Sequence, residues 1–104
     1  MREYEVFITT AAEKDLQEIF KYIASELLER ETASNLCDRI EQEILKLNTM
    51  PDRHAPYKKE PWFSRGLRFF PVGNFLVFYI VRASDSTVHV LRVMYGRSDV
   101  DERL

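Results

Sequence analysis

Gly73-Asn74-Phe75-Leu76-Val77-Phe78-Tyr79-Ile80-Val81 is the stretch that decides the fold. Phe75 to Val81 is an unbroken apolar run of strand length, rich in aromatic and β-branched types, and it reads as the central strand of a sheet. Gly73-Asn74 just before it is a two-residue hairpin signal. Arg65 to Val72 is therefore the preceding strand, with Pro71 demoting its last residues to an edge or a bulge. On the other side, Ser84-Asp85-Ser86-Thr87 is a second turn and Val88 to Tyr95 a further strand. Gly96 to Leu104 follows as a polar, charged tail.

Upstream the period changes from two to between three and four. Ala12, Leu16, Ile19, Phe20, Ile23 and Leu27 form one apolar stripe, and steps of three and four place them on one helix face. Thr10-Ala11-Ala12-Glu13 fits a capping box at its start. The stripe loses phase at Glu29-Arg30-Glu31, where Thr32 offers a second N-cap. Ala33, Leu36, Cys37, Ile40, Ile44 and Leu47 then form a second stripe that Met50-Pro51 ends. Two such helices joined by a few residues make an antiparallel hairpin. Tyr4 to Thr9 is a short first strand. Asp52 to Ser64 shows no period and reads as a loop.

The expected class is α+β, in the order βααβββ, with the helical hairpin packed on one face of a small, mainly antiparallel sheet. The chain shows no internal repeat or linker and is expected to be a single domain over residues 1–104.

Composition limits the function. Of the chain, 45% is hydrophobic and 12% aromatic, enough for a core at this size without metals or disulfides. The net charge of −2 supplies no global positive field, so any nucleic-acid contact must come from a local basic patch. Cys37 is the single cysteine; its place on the second stripe makes it a core thiol, with no disulfide and no cysteine metal site. His54 and His89 lie far apart without ligand spacing, so neither a metal nor a cofactor is expected. No apolar leader or membrane-spanning stretch is present, and the reading is a soluble, cytoplasmic protein.

Four ordered features carry a family resemblance. They are the opening strand with its threonine-capped helix, and the helical hairpin ending near Met50-Pro51. The others are the strand pair from Gly66-Leu67-Arg68 to Phe75-Leu76-Val77-Phe78-Tyr79, and the closing Val88-His89-Val90-Leu91-Arg92-Val93-Met94-Tyr95-Gly96-Arg97-Ser98-Asp99. Along essentially the whole chain, the set resembles the RelE/ParE superfamily of bacterial type II toxins. The resemblance implies a cognate antitoxin whose C-terminal segment wraps the toxin in a hetero-oligomer and blocks its active surface. One branch of the superfamily resembles ribosome-dependent endoribonucleases that cut mRNA, and the other resembles inhibitors of DNA gyrase.

A nuclease needs cationic groups to hold the scissile phosphate, and an acid and a base beside it. By position Arg68, Tyr95 and Arg97 are the catalytic candidates, since Arg68 and Arg97 fall where or near where nuclease relatives carry basic residues. Tyr95 stands where many of them carry His, and a phenol is a poor base near neutrality. Their third-strand arginine is replaced by Phe75-Leu76-Val77. The expected action is thus ParE-like, on gyrase. A ribosome-dependent nuclease and a non-toxic, partner-binding member are the alternatives.

Lys58, Lys59 and Trp62 form a basic-aromatic stretch suited to gripping a target or partner, and Arg92 is a further binding candidate. Each also has a structural reading. Arg68 and Arg92 can be ion-pair partners, Trp62 a packed loop residue, Tyr95 a packed ring with a wet hydroxyl, and Arg97 a solvated charge. Alternation along the last strand places His89, Leu91, Val93 and Tyr95 on one face, and Val88, Val90, Arg92 and Met94 on the other.

Overall fold

The structure, a computed structural model, describes residues 2–96 and 100–104. Strand β1 (Glu5–Ile8) leads into helix α1 (Thr10–Lys21), a π-helical turn (Tyr22–Glu26) and helix α2 (Arg30–Leu45). Two 3-10 turns precede β2 (Ala55–Pro56), followed by β3 (Leu67–Val72), β4 (Phe75–Arg82), β5 (Thr87–Tyr95) and α3 (Val100–Arg103). The sheet order is β1-β5-β4-β3-β2, with β4 in the middle and β1 parallel to β5. This is the expected α+β fold, with one strand more than the sequence showed. Among the described residues no helix is long and apolar enough to cross a membrane.

The hairpin packs on one sheet face. Ala12 and Leu16 of α1 and Ile40 and Ile44 of α2 are buried against Phe70, Val72, Val77, Tyr79, Val88, Val90 and Val93. The opposite face holds a second cluster, Leu67, Phe78 and Met94, covered by Tyr57 and Trp62 and by Val100 and Leu104. Within the segment read as a polar tail, Val100–Arg103 forms one helical turn, and Val100 and Leu104 pack on the sheet.

Other sequence expectations shift by a residue or two, each for a local reason. Thr9, not Thr10, caps α1. Its hydroxyl accepts from Ala12 N–H at 3.2 Å and lies within donating distance of the Val90 and Leu91 carbonyls, 2.8 and 3.1 Å away. Only Thr9, at the end of β1, can join a helix start to the adjacent strand. Thr32 lies inside α2, which starts at Arg30, and its hydroxyl donates to Glu29 Oε2 at 2.8 Å. The second helix leaves α geometry at Leu45, because Thr49 is extended and bridges to Glu3. Ala55–Pro56 in the supposed loop pairs with β3 at Phe69 and Arg68, which leaves Pro71 on an edge, as its lack of an N–H requires. Cys37 is only half-buried, and burial together with Glu41 and Asp38 pushes its thiol pKa up.

Two one-residue irregularities reset the side-chain pattern. In β5, Phe78 pairs with Arg92 but Tyr79 with Val90, so Leu91 is the extra residue of a bulge. Val93 consequently faces the helices beside Val88 and Val90, and Met94 faces away, reversing the strict alternation. In the first helix the π-turn, closed by Leu27 N–H to Tyr22 O, adds a residue per turn and rotates the stripe. Ile23 is buried but Leu27 is 54% exposed. Leu28 follows with φ +54° and an 85% exposed side chain, which lets Glu29 N–H reach Ile23 O.

A leucine in the left-handed region costs about 1–2 kcal/mol, and this one has little packing to offset it. Leu28→Gly should raise unfolding stability by about 0.5 kcal/mol after the added flexibility of the unfolded chain is subtracted. Urea denaturation of both proteins measures it.

Candidate functional site

Asp15 lies on the apolar stripe of α1, between Ala12 and Ile19, and is 6% exposed. Its carboxylate takes Arg92 Nε–H at 2.7 Å on Oδ2 and the Arg92 terminal N–H at 2.9 Å on Oδ1. Oδ2 also accepts from Val93 N–H at 2.9 Å. β1 pairs with β5 only as far as Val90, so beyond it the edge of β5 is open. Thr9 takes the Val90 and Leu91 carbonyls and Asp15 the Val93 N–H, so these groups are satisfied without another strand. Arg92 further donates to Arg103 O at 2.8 Å, tying the C-terminal turn to the same point. The Asp15 hydrogen bond and charge hold the Arg92 pKa above its ordinary value. Asp15 was not singled out by sequence, although a carboxylate on an otherwise apolar stripe is the signal that marks it.

Arg68, from β3, projects on the helix face opposite Tyr79 and donates to His54 O at 2.6 Å. The His54 ring stacks on Phe70 at 4.4 Å between centroids, and Tyr79 donates from its hydroxyl to Pro51 O at 2.6 Å. Burial, with a smaller effect from Arg53, lowers the His54 pKa. Burial pushes the Tyr79 phenol up to about 12. Tyr95, the last residue of β5, lies opposite Phe75 at the start of β4, with the two rings edge to face at 5.7 Å. Four residues along β4 and two strand spacings separate Arg68 from Tyr95, on the order of 15 Å. An acid or base must sit within about 3 Å of the proton it moves; here the Arg68 guanidinium is held on His54 O and the Tyr95 ring lies against Phe75. Arg97 lies outside the described residues.

The basic-aromatic stretch sits against the second sheet face. Trp62 packs in that cluster beneath the Arg65 guanidinium, 5.2 Å from its ring centroid. Lys59 Nζ pairs with Asp101 Oδ2 at 2.5 Å, and Tyr57 donates to the same carboxylate. Lys59 and Tyr57 hold the Asp101 carboxyl below its ordinary pKa. Lys58 is exposed beside them. Among the described residues no three His, Cys, Asp or Glu side chains converge as a metal would require.

A concavity of about 1000 Å³ lies between the hairpin tip and the end of the sheet, with Ile19, Tyr22, Leu27, Leu36, Phe75 and Tyr95 in its walls. Among the described residues, Tyr95 is the one sequence-selected residue there. The π-turn borders this groove through Tyr22 and Ile23, and it cannot be read from periodicity.

Solved structures share this architecture. The chromosomal ParDE toxin–antitoxin system of P. aeruginosa superposes with a TM-score of 0.73 at 19% identity, covering 91% of this chain and 98% of that one. A mutant of the E. coli toxin RelE in the free state gives 0.68 at 12% identity, covering 97% and 92%. The toxin–antitoxin complex RelBE2 from Mycobacterium tuberculosis gives 0.60 at 23% identity, covering 89% and 98%. No protein of curated function matches the chain in sequence. The fold is thus that of the small α+β toxins of toxin–antitoxin systems. The family model described as ParE toxin of type II toxin-antitoxin system, parDE, matches residues 6–100, and the chain belongs to that family. It is the toxin component of a type II module.

Two predictions follow from the geometry. Asp15→Ala leaves a half-buried guanidinium and the Val93 N–H without their acceptor, and should cost about 3 kcal/mol of unfolding free energy. Adding Arg92→Met should recover part of that loss, because the stranded charge is gone; a double variant as unstable as the single would contradict this. A phenol whose pKa is raised from 10.0 to about 12 favours the folded state while neutral. Its contribution is complete below pH 10 and is lost as the pH rises towards 12. Stability should therefore fall over that range more steeply than in Tyr79→Phe, as read by chemical denaturation at each pH.

Proposed function

We propose that this toxin arrests bacterial growth by acting on DNA gyrase, and that an antitoxin holds it inactive in a cytoplasmic hetero-oligomer. The observation that carries the reading is the ParE family match over residues 6–100, almost the whole chain. The site geometry supports it. Arg68 spends a donor on a backbone carbonyl, on the order of 15 Å from Tyr95. The strand position where nuclease relatives carry arginine is the apolar Phe75-Leu76-Val77. A phosphate clamp without that charge loses a few kcal/mol of transition-state stabilisation, roughly two orders of magnitude in rate. The net charge of −2 also gives no general attraction to ribosomal RNA.

The test is supercoiling of relaxed plasmid by purified gyrase with the purified toxin added, alongside mRNA integrity in a translating extract. Inhibited supercoiling with intact mRNA is expected. Codon-dependent mRNA cuts abolished by Arg68→Ala or Arg97→Ala would establish the nuclease alternative instead. Unimpaired growth at verified soluble expression would leave a partner-binding protein without toxicity.

A further inference from the structure

Leu28, between the π-turn and α2, departs from ordinary chain chemistry twice. Its φ of +54° is one that residues with a bulky side chain avoid, and its side chain is 85% exposed, so no packing offsets the strain. Glycine or asparagine would hold the same turn with less strain. The backbone there is nonetheless fixed. Leu27 N–H donates to Tyr22 O at 3.3 Å and Glu29 N–H to Ile23 O at 3.1 Å, while Glu29 Oε2 accepts from the Thr32 hydroxyl at 2.8 Å. The turn therefore holds the leucine out into solvent on a set backbone, and Leu28 is not part of the groove wall between hairpin and sheet. A strained, exposed apolar side chain, kept where a plain turn residue is more stable, marks a contact with something else.

The charge around it narrows what that is. From residue 26 to residue 31 the tip carries Glu26, Glu29 and Glu31 against Arg30, all exposed. Nucleic-acid phosphates are repelled by such a surface, and an anionic membrane needs cations in the place of these carboxylates. A second copy would bring the same carboxylates face to face. A leucine that projects from a turn loses water on every side only inside a pocket, and a pocket needs a folded protein around it. A segment lying along the surface covers one side. We propose that Leu28 is the point at which this toxin grips its target protein, entering an apolar pocket whose rim carries lysine or arginine facing Glu26 and Glu31. That the target is gyrase rests on the functional proposal above; the display of Leu28 and the charge around it do not.

The test titrates purified gyrase and relaxed plasmid with the full-length chain and its variants, potency being the concentration that halves supercoiling. Leu28→Gly and Leu28→Asn both keep the turn, since either residue tolerates positive φ. Each should be about tenfold less potent, as the loss of one buried leucine allows, while Leu28→Gly melts no lower than the unaltered chain. Glu26→Lys with Glu31→Lys should lose about three- to tenfold, with the larger loss at low salt. Leu45→Asn, at a leucine 61% exposed at the other end of α2, should match the unaltered chain. Equal potency of Leu28→Asn and the unaltered chain, or an equal loss with Leu45→Asn, overturns the inference. Escape of Leu28→Asn from the co-expressed antitoxin, or loss of a dimer in sedimentation, would then show what covers the tip instead. Growth on induction separates the two proposals. Arrest without gyrase inhibition removes the gyrase reading, and Leu28→Asn must then relieve the arrest or the tip assignment falls as well. A chain that neither inhibits gyrase nor arrests growth overturns both.

Discussion

A single buried carboxylate decides where the helical hairpin sits on the sheet. β1 is too short to cover β5 beyond Val90, so the rest of that strand edge needs other partners. Asp15 supplies one by accepting the Val93 N–H and both arms of Arg92, and Thr9 closes the carbonyls just before it. Taking two charges out of water is costly, and an apolar pair of similar size can be as stable. What the ionic pair adds is register. A leucine at position 15 would pack in many positions along the sheet, whereas a carboxylate bound at three points fits in one. Because Arg92 also holds Arg103 O, this contact fixes α1, β5 and the C-terminal turn together.

The bulge at Leu91 and the π-turn at Tyr22–Glu26 are consequences at the same end of the molecule. The bulge turns Val93 towards the helices. The π-turn then lifts Leu27 off the sheet and opens a groove that a regular helix would have filled. Each adds one residue, and each shifts every later side chain in its element. Irregular segments that break the fold's own pattern are where function concentrates, since regular packing would have closed them.

The described residues selected from the sequence fall in separate parts of the fold. Of the nuclease candidates, Arg68 belongs to the His54, Phe70 and Tyr79 corner and Tyr95 to the groove, while the binding candidate Lys59 belongs to the loop that grips Asp101. The fold of this chain is a scaffold with two covered sheet faces. Recognition of a target or an antitoxin then depends on which side chains border the remaining openings. In this chain those borders are apolar with a negative rim at the hairpin tip, and basic with aromatics on the opposite face.

The sequence alone determined the element order, the central strand, the two core stripes and the toxin family. Hydrophobic period and turn chemistry are local signals, and the whole-chain pattern integrates them. It also confined Pro71 to an edge or a bulge, because a missing N–H has the same meaning in any context. Only the tertiary structure decided that Thr9 and not Thr10 is the cap, that Ala55–Pro56 is a strand, and that the charged tail covers the second face. It alone decided that Val93 and Met94 exchange faces, and that Asp15 is a structural anchor. Each of those depends on a partner far away in sequence: β5 for Thr9 and Asp15, β3 for Ala55, the Phe78 cluster for Val100. Local pattern carries no record of such a partner, so these contacts became visible only when the chain closed on itself.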